Sequence, residues 1–175
     1  AAEAPARGTP CAGPLSAGAG GGVPSVLYGN SQTGALRYAR RAGGSWPAAT
    51  IASGNLIPGG LALDATGFAH VSYYDAAAGD LKVARWTGAA WDIATVQSAL
   101  DAGRFSSLAL DASGGEHVAY YDTTNADLKY ASQPAAGPWL PAVVDAGVDV
   151  GSAPVMAIDG NGLPVIAYLD SVSQD

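Results

Sequence analysis

Short apolar segments separated by turn-forming residues recur along most of the chain. One segment, Gly60 to Asp64, leads through Asp-Ala-Thr-Gly into a second, Ala69 to Tyr74. A third runs from Asp80 to about Trp86 and a fourth from Ala90 to Val96, each after a short loop containing glycine or a small polar residue. Short apolar runs bounded by such turns are typical of strands rather than helices. The pattern predicts a meander of four antiparallel strands, named A to D in chain order.

This four-segment pattern is itself repeated. Residues 61–96 match residues 108–144 at an offset of 47 positions, which becomes 48 after the lysine. A degenerate copy lies 45 residues upstream of the first, and another copy begins near Ile158. A fixed period between roughly 20 and 50 residues is the signature of repeat architectures. The matched positions include Asp64 with Asp111, Tyr73-Tyr74-Asp75 with Tyr120-Tyr121-Asp122, and Trp91 with Trp139.

A single four-stranded meander cannot bury both of its faces, whereas successive meanders stacked around an axis cover one another. The repeat therefore predicts an all-β fold, a β-propeller of four-stranded antiparallel blades with a little over three blades in this chain. We expect a partial ring, or one completed by other chains or by further sequence. The expected boundaries are an Ala/Gly/Pro-rich leader or linker at 1–22, a partial blade at 23–54, blades at 55–105 and 106–151, and a partial blade at 152–175.

The repeat units L-D-A-[ST]-G-x-x-H-V-x-Y-Y-D and D-L-K-[VY]-A resemble the repeats of secreted bacterial β-propeller proteins over roughly residues 23 to 170. Those proteins are broadly similar to sialidase-like and lectin-like propellers, which include both sugar-binding and enzymatic members. The resemblance implies a fold and a secreted or extracellular location more than a reaction. The Asp-box of sialidases is not met at any A to B turn, and the arginines are scattered, so sialidase activity is not expected.

Composition narrows the range of partners. Eight Lys and Arg stand against fifteen Asp and Glu, a formal charge of −7, with no basic cluster for binding nucleic acid or anionic membranes. No apolar run approaches the length of roughly 18 residues that spans a bilayer, so no membrane insertion is expected. The N-terminus lacks a signal-peptide pattern, and a secreted protein would already have lost its signal. Cys11 is the only cysteine, and an inert thiol is favoured over an intermolecular disulfide.

Several residues recur once in each repeat and are interpreted as structural. An aromatic residue required once per blade usually fills the gap between neighbouring sheets. The aspartates at the A to B turns occupy one repeated turn position. The structural set consists of Trp46, Trp91, Trp139, Tyr73, Tyr120, Asp64, Asp111 and Asp159.

Less regular aromatic residues are candidates for ligand binding. Because side chains alternate along a strand, Tyr74 and Tyr121 point to the opposite face from Tyr73 and Tyr120. Aromatic rings at a blade rim can stack on the faces of sugars. Trp86, whose counterpart in the next repeat is Gln133, is the least repeated tryptophan and joins this candidate surface.

Carboxylates and histidines complete the candidate chemistry. Asp75 and Asp122 border the B to C loops and are candidate ligand-binding carboxylates, although capping of nearby backbone amides is the favoured role. His70 and His117 lack the spacing of a metal site, so hydrogen-bonded structural histidines are favoured. No catalytic residue, metal or cofactor is expected, since no phosphate loop, dinucleotide motif or nucleophile elbow occurs in the sequence.

The sequence therefore predicts a non-enzymatic extracellular binding or scaffolding module for a carbohydrate or a protein ligand. One alternative is a fragment of a propeller glycosidase or polysaccharide lyase whose catalytic residues lie outside this chain. Another is a structural subunit of a ring or filament, a homo-oligomer assembled through open blade edges.

Overall fold

The computed structural model of the protein describes residues 16–20, 22–99, 101–134 and 137–171. Fourteen strands and no helix occur within these ranges, which confirms the predicted all-β class. The strands are β1 Ser16–Gly20, β2 Val23–Asn30, β3 Ala35–Arg40, β4 Ala48–Ala52, β5 Leu56–Leu63, β6 Ala69–Asp75, β7 Asp80–Trp86, β8 Trp91–Gln97, β9 Ala102–Leu110, β10 Glu116–Asp122, β11 Asp127–Gln133, β12 Leu140–Asp145, β13 Val150–Ile158 and β14 Pro164–Asp170.

Consecutive strands pair in antiparallel meanders. Strands β1 to β4 form the first blade, β5 to β8 the second and β9 to β12 the third. Strands β13 and β14 form a two-stranded sheet, which is the described part of a fourth blade. The four-stranded antiparallel blades predicted from the repeat are thereby confirmed.

In the second blade, the predicted strands B and C nearly coincide with β6 and β7, whereas strand A differs. Strand β5 begins at Leu56, four residues before the predicted start at Gly60. Its pairing with β6 shifts register between Pro58 and Leu61. Because a bulge interrupts the alternation of side chains between the two faces, the apolar pattern revealed only the part of the strand that follows it.

The first blade begins earlier than predicted. The interpretation of residues 1–22 as a leader or linker fails for Ser16–Gly20, since this segment is strand β1 and pairs with β2 from Ser16 opposite Leu27 to Gly20 opposite Val23. An Ala/Gly sequence carries no apolar alternation, so backbone pairing rather than side-chain pattern defines this strand. Cys11 lies outside the described residues.

The A to B turns share one geometry. The Asp64 carboxylate accepts hydrogen bonds from two backbone N–H groups, at 2.9 and 2.8 Å. Asp111 and Asp159 accept the equivalent pairs in the next two turns. Gly67 has a φ of +83°, a left-handed conformation that glycine adopts without steric cost. These turns fix the loops at one end of the second and third blades and of the β13–β14 hairpin.

The apolar cores lie between blades. The first core contains Leu27, Leu36 and Ile51 of the first blade with Leu61, Val71 and Tyr73 of the second. The second core contains Leu81, Val83 and Val96 of the second blade with Leu108, Val118 and Tyr120 of the third. Strands β5 and β9 approach so closely that a Cβ atom on Gly60 would lie 2.3 Å from the Leu108 backbone nitrogen. We call these two contacts the first interface and the second interface.

The outward faces at the two ends of the stack are less covered. Trp46, on the first blade, is 46% exposed. Large apolar side chains are also exposed along the last strand of the third blade and on the β13–β14 hairpin. They include Leu140, Val143, Val144, Val155, Leu163, Val165 and Leu169.

Candidate functional site

A pocket of about 270 Å³ opens at the first interface. Strand β3 of the first blade contributes Tyr38 and Arg40, and strands β7 and β8 of the second blade contribute Trp86 and Trp91. The rest of the lining consists of Pro47, Ala48, Ala49, Gly67 and Ala69. The pocket is therefore largely apolar and aromatic, with one cationic side chain. We call it the first-interface pocket.

The aromatic wall of this pocket is built by strand pairing. Trp86 and Trp91 stand directly opposite each other on β7 and β8, with ring centroids 5.4 Å apart. Tyr38 meets the Trp91 ring edge-on at 5.6 Å, and its hydroxyl donates a hydrogen bond to Ser25 Oγ at 3.0 Å. Such tilted and edge-on pairs are favourable arrangements of aromatic rings. The wall is held in place by contacts from both blades.

Arg40 supplies the positive charge of the pocket. Its side chain is half-buried, and Nη1 donates a hydrogen bond to the Gly67 carbonyl oxygen at 3.2 Å. Among the described residues, no ion pair includes Arg40. The guanidinium therefore keeps donors for a further acceptor, since it carries five N–H groups in a rigid plane.

The second interface places an equivalent arginine in a closed polar cluster. Arg85 Nε donates to Glu116 Oε1 at 2.8 Å, and Nη2 donates to both Glu116 Oε2 and Gln133 Oε1. His70 Nδ1 lies 2.6 Å from Glu116 Oε1, and the Glu116 side chain is 2% exposed. Burial raises the pKa of Glu116, but hydrogen bonds from His70 and Arg85 outweigh it and bring the pKa below its ordinary value. The cavity beside this cluster measures about 130 Å³, and a separate one of about 340 Å³ lies between residues 97–99 and 141–143 of the same interface.

The two interfaces differ at a few matched positions. The pairs related by the repeat are Arg40 and Arg85, Gly67 and Gly114, Ala69 and Glu116, and Trp86 and Gln133. A small apolar residue and a large aromatic one in the first interface thus replace the carboxylate and the amide of the second. This exchange leaves Arg40 without the partner that Arg85 has.

Of the two tyrosines predicted as a binding surface, Tyr74 is buried and Tyr121 is partly buried. The Tyr74 side chain is 3% exposed, its hydroxyl donates to Asp101, and Arg104 lies 5.1 Å from its ring centroid. Tyr121 is partly buried and donates to Asp149 at 2.5 Å, a hydrogen bond that raises its pKa to about 12. Both hydroxyls therefore connect a blade to the residues that lead into the next one.

The candidate carboxylates of the B to C loops are held by the fold. Asp75 accepts from the backbone N–H groups of its own turn and pairs with Lys82 at 2.6 Å. Asp122, which is completely buried, makes the corresponding turn contacts and pairs with Lys129 at 2.6 Å. These bonds use the oxygens that a ligand would need.

Two of the three repeated tryptophans pack against the cores between blades, and the third does not. Trp91 packs against the first core and Trp139 against the second. The indole Nε1 atoms of both are buried without a hydrogen-bond partner among the described residues. Because both copies share this feature, it belongs to the repeat and does not mark one binding site. Trp46, at the equivalent position of the first blade, has no preceding blade packed against it in the described part of the chain.

His117 also serves a structural contact. Its Nδ1 lies 2.5 Å from the Tyr130 hydroxyl and its Nε2 lies 3.2 Å from Asp111 Oδ2. No group of three or more His, Cys, Asp or Glu side chains suited to a metal occurs in the ranges the structure describes. Within the same ranges no helix is long and apolar enough to cross a membrane.

Sequence reasoning named Trp86 but missed Tyr38, Arg40 and Ala69. Arg40 precedes Arg85 by 45 residues, the same offset that relates the degenerate first copy to the second repeat. Alignment of all copies at that offset, followed by comparison of the residues that differ, would have found the pocket. The residues are far apart in sequence because the pocket is shared by two blades.

The stacked antiparallel blades define an all-β, propeller-like protein. The fold is similar to that of a fucose lectin from Kordia zhangzhouensis, whose structure contains methyl-fucoside, with a TM-score of 0.53 and 16% sequence identity. The match covers 75% of this chain and 99% of that chain. No protein-family model matches the chain, and no curated protein matches it. At this identity the likeness concerns the fold.

Proposed function

We propose that the protein is a carbohydrate-binding module and that a sugar binds in the first-interface pocket. The observation that carries this proposal is the wall formed by Trp86, Trp91 and Tyr38 beside the guanidinium of Arg40. Flat aromatic faces can cover the C–H faces of a sugar ring, while guanidinium N–H groups can donate to its oxygens. The fold that the chain shares with a fucose lectin is consistent with this use.

The size of the pocket limits the ligand. Its volume of about 270 Å³ lies just below the range of roughly 300 to 1,000 Å³ that is usual for pockets holding drug-sized ligands. A single monosaccharide unit fits this space better than an extended chain. We therefore expect recognition of a terminal sugar.

Glycan-array binding followed by calorimetry tests the proposal. Trp86→Gln installs the residue of the second interface and should weaken binding of the best glycan by roughly tenfold or more. Phe105→Ala removes an exposed aromatic ring outside the pocket and should leave the affinity unchanged. If the wild type bound no glycan, or if Trp86→Gln bound as well as the wild type, the proposal would be wrong.

The proposed role is non-enzymatic and extracellular. Carboxylates that recur in successive blades are poor evidence for a single active site, and Asp75 and Asp122 are engaged in turns and ion pairs. An extracellular location is supported by the resemblance of the repeat to those of secreted propellers. Fractionation of the source cells and medium, followed by detection of the protein, tests this location.

A second candidate role, subunit of an assembly, is favoured by the exposed apolar side chains of β12, β13 and β14. Many exposed large apolar side chains on neighbouring elements are typical of regions that contact another protein. Light scattering over a range of concentrations tests this role, because an assembly subunit should exceed the 17.3 kDa mass of one chain. A particle that remained monomeric at high concentration would exclude self-assembly.

A further inference from the structure

The two interfaces show how this fold satisfies an arginine at the end of strand C. In the second interface, the Arg85 guanidinium forms paired hydrogen bonds with both oxygens of the Glu116 carboxylate. Paired guanidinium–carboxylate contacts are among the strongest and most geometrically specific hydrogen bonds in proteins. This position in the repeat is therefore compatible with a carboxylate bound by the arginine.

The first interface keeps the arginine but lacks the carboxylate. Ala69 stands where Glu116 stands in the next blade, and the adjoining pocket has about twice the volume, 270 against 130 Å³. The half-buried Arg40 side chain donates a hydrogen bond to the Gly67 carbonyl oxygen and takes part in no ion pair among the described residues. A partly buried charge without a counter-ion is a costly arrangement, and a bound anion would relieve it.

From this comparison we infer that the first-interface pocket selects a sugar that carries a carboxylate, such as a hexuronic acid. The inference rests on the proposed carbohydrate-binding function and specifies its ligand class. The carboxylate of the sugar takes the place at Arg40 that Glu116 takes at Arg85. The sugar ring lies against Trp86 and Trp91, which provide the apolar wall.

The net charge of the molecule cannot account for a preference for acidic sugars. The chain carries a formal charge of −7, so the protein as a whole repels anions at long range. Attraction must come from a direct contact with Arg40 rather than from a general basic surface. Added salt weakens the attraction between Arg40 and the carboxylate, but it also screens the long-range repulsion by the negatively charged protein. Because the two effects oppose each other, the affinity for an acidic sugar should change only modestly with salt concentration.

Calorimetric titration with matched sugars provides the test. The probes are the common hexuronic acids, their methyl esters, and the parent neutral hexoses, each titrated into the wild type, Arg40→Gln and Ala69→Glu. In the wild type, one acid should bind roughly tenfold or more tightly than its ester and its parent hexose. Arg40→Gln should abolish this preference. Ala69→Glu should do the same, because it supplies the carboxylate from within the protein.

A matched control separates the pocket from net charge. Arg41→Gln removes the same charge from an exposed neighbouring residue that does not line the pocket, so it should retain the preference for the acid. Thermal melting of every variant verifies that it is folded. If the wild type bound neutral hexoses as tightly as the acids, and Trp86→Gln weakened that binding, the inference would be wrong while the proposed function stood. If neither series bound, both would be wrong.

Discussion

Arg40 and Arg85 occupy the same position of strand C in consecutive blades, and their surroundings differ. Arg85 is held by Glu116 and Gln133 in a polar cluster that fills most of the space around its guanidinium. Arg40 lies beside Ala69 and an aromatic wall at the first interface, where a pocket remains. The repeat positions the guanidinium in both cases. The residue opposite it on the next blade determines whether the space at the guanidinium is filled by an internal ion pair or open to a ligand.

The same stacking of blades thus supports an internal ion pair at one interface and a pocket at the other. The cores of both interfaces are apolar and similar in composition, so the stacking of blades is secured by burial of these side chains. Among the residues that differ, Ala69 belongs to the first core and Trp86 packs against it. Repeat proteins can vary such positions while the other nearest-neighbour contacts of the blades remain intact.

The largest expected effect concerns the tryptophan repeated at or just before the fourth strand of each four-stranded blade. Trp91→Ala should lower the free energy of unfolding by about 3 kcal/mol, because it removes a partly buried ring packed on the first core. Trp46→Ala, at the equivalent position of the first blade, should cost less than about 1 kcal/mol, since that residue is 46% exposed. Urea denaturation followed by circular dichroism measures both. Equal losses would show that the interface contacts have been misassigned.

A smaller effect is expected from the polar cluster of the second interface. Glu116→Gln keeps the shape of the side chain but removes its charge, and should cost about 2 kcal/mol at neutral pH through weaker hydrogen bonds to Arg85 and His70. The pKa of Glu116 is lowered in the folded protein. Its stabilising contribution is therefore complete above the ordinary carboxyl pKa of 4.5 and is lost as the pH falls through the folded-state pKa.

The pH dependence of stability tests whether the charge of Glu116 is the cause of the expected loss. The difference in unfolding free energy between the wild type and Glu116→Gln should shrink as the pH is lowered below 4.5, because the carboxyl of the unfolded wild type then binds a proton while the folded one is still ionised, and it should vanish below the folded-state pKa. Urea denaturation at a series of pH values measures the difference. A difference that stayed constant down to the acid limit of folding would mean that the charge of Glu116 is not what stabilises the interface.

Strands B and C could be predicted because their information is local. Apolar alternation and the flanking turn residues place β6 and β7 almost without error. Strand β1 was missed because its Ala/Gly sequence contains no alternation to detect. Its position depends on hydrogen bonding to β2, a partner that a pattern of single residues cannot reveal.

The candidate site was harder to predict because it depends on two blades at once. The alternation of side chains along a strand predicted that Tyr73 and Tyr74 lie on opposite faces of the blade. The structure places Tyr73 in the first core. Whether the other face is open depends on the next blade, and there Asp101 and Arg104 cover Tyr74. The pocket at Arg40 was missed for the same reason, since its second wall comes from a blade about 45 residues away in sequence.

The smallest expected effect distinguishes a connecting role from a binding role for Tyr74. Tyr74→Phe removes the hydroxyl that donates to Asp101 and keeps the ring under Arg104, so it should cost about 1 kcal/mol of unfolding free energy. Glycan affinity should not change, because Tyr74 does not line the first-interface pocket. Denaturation and calorimetry on the same preparation measure both quantities. A variant with unaltered stability and weakened glycan binding would restore Tyr74 to the binding surface and shift the candidate site from the first interface to the second.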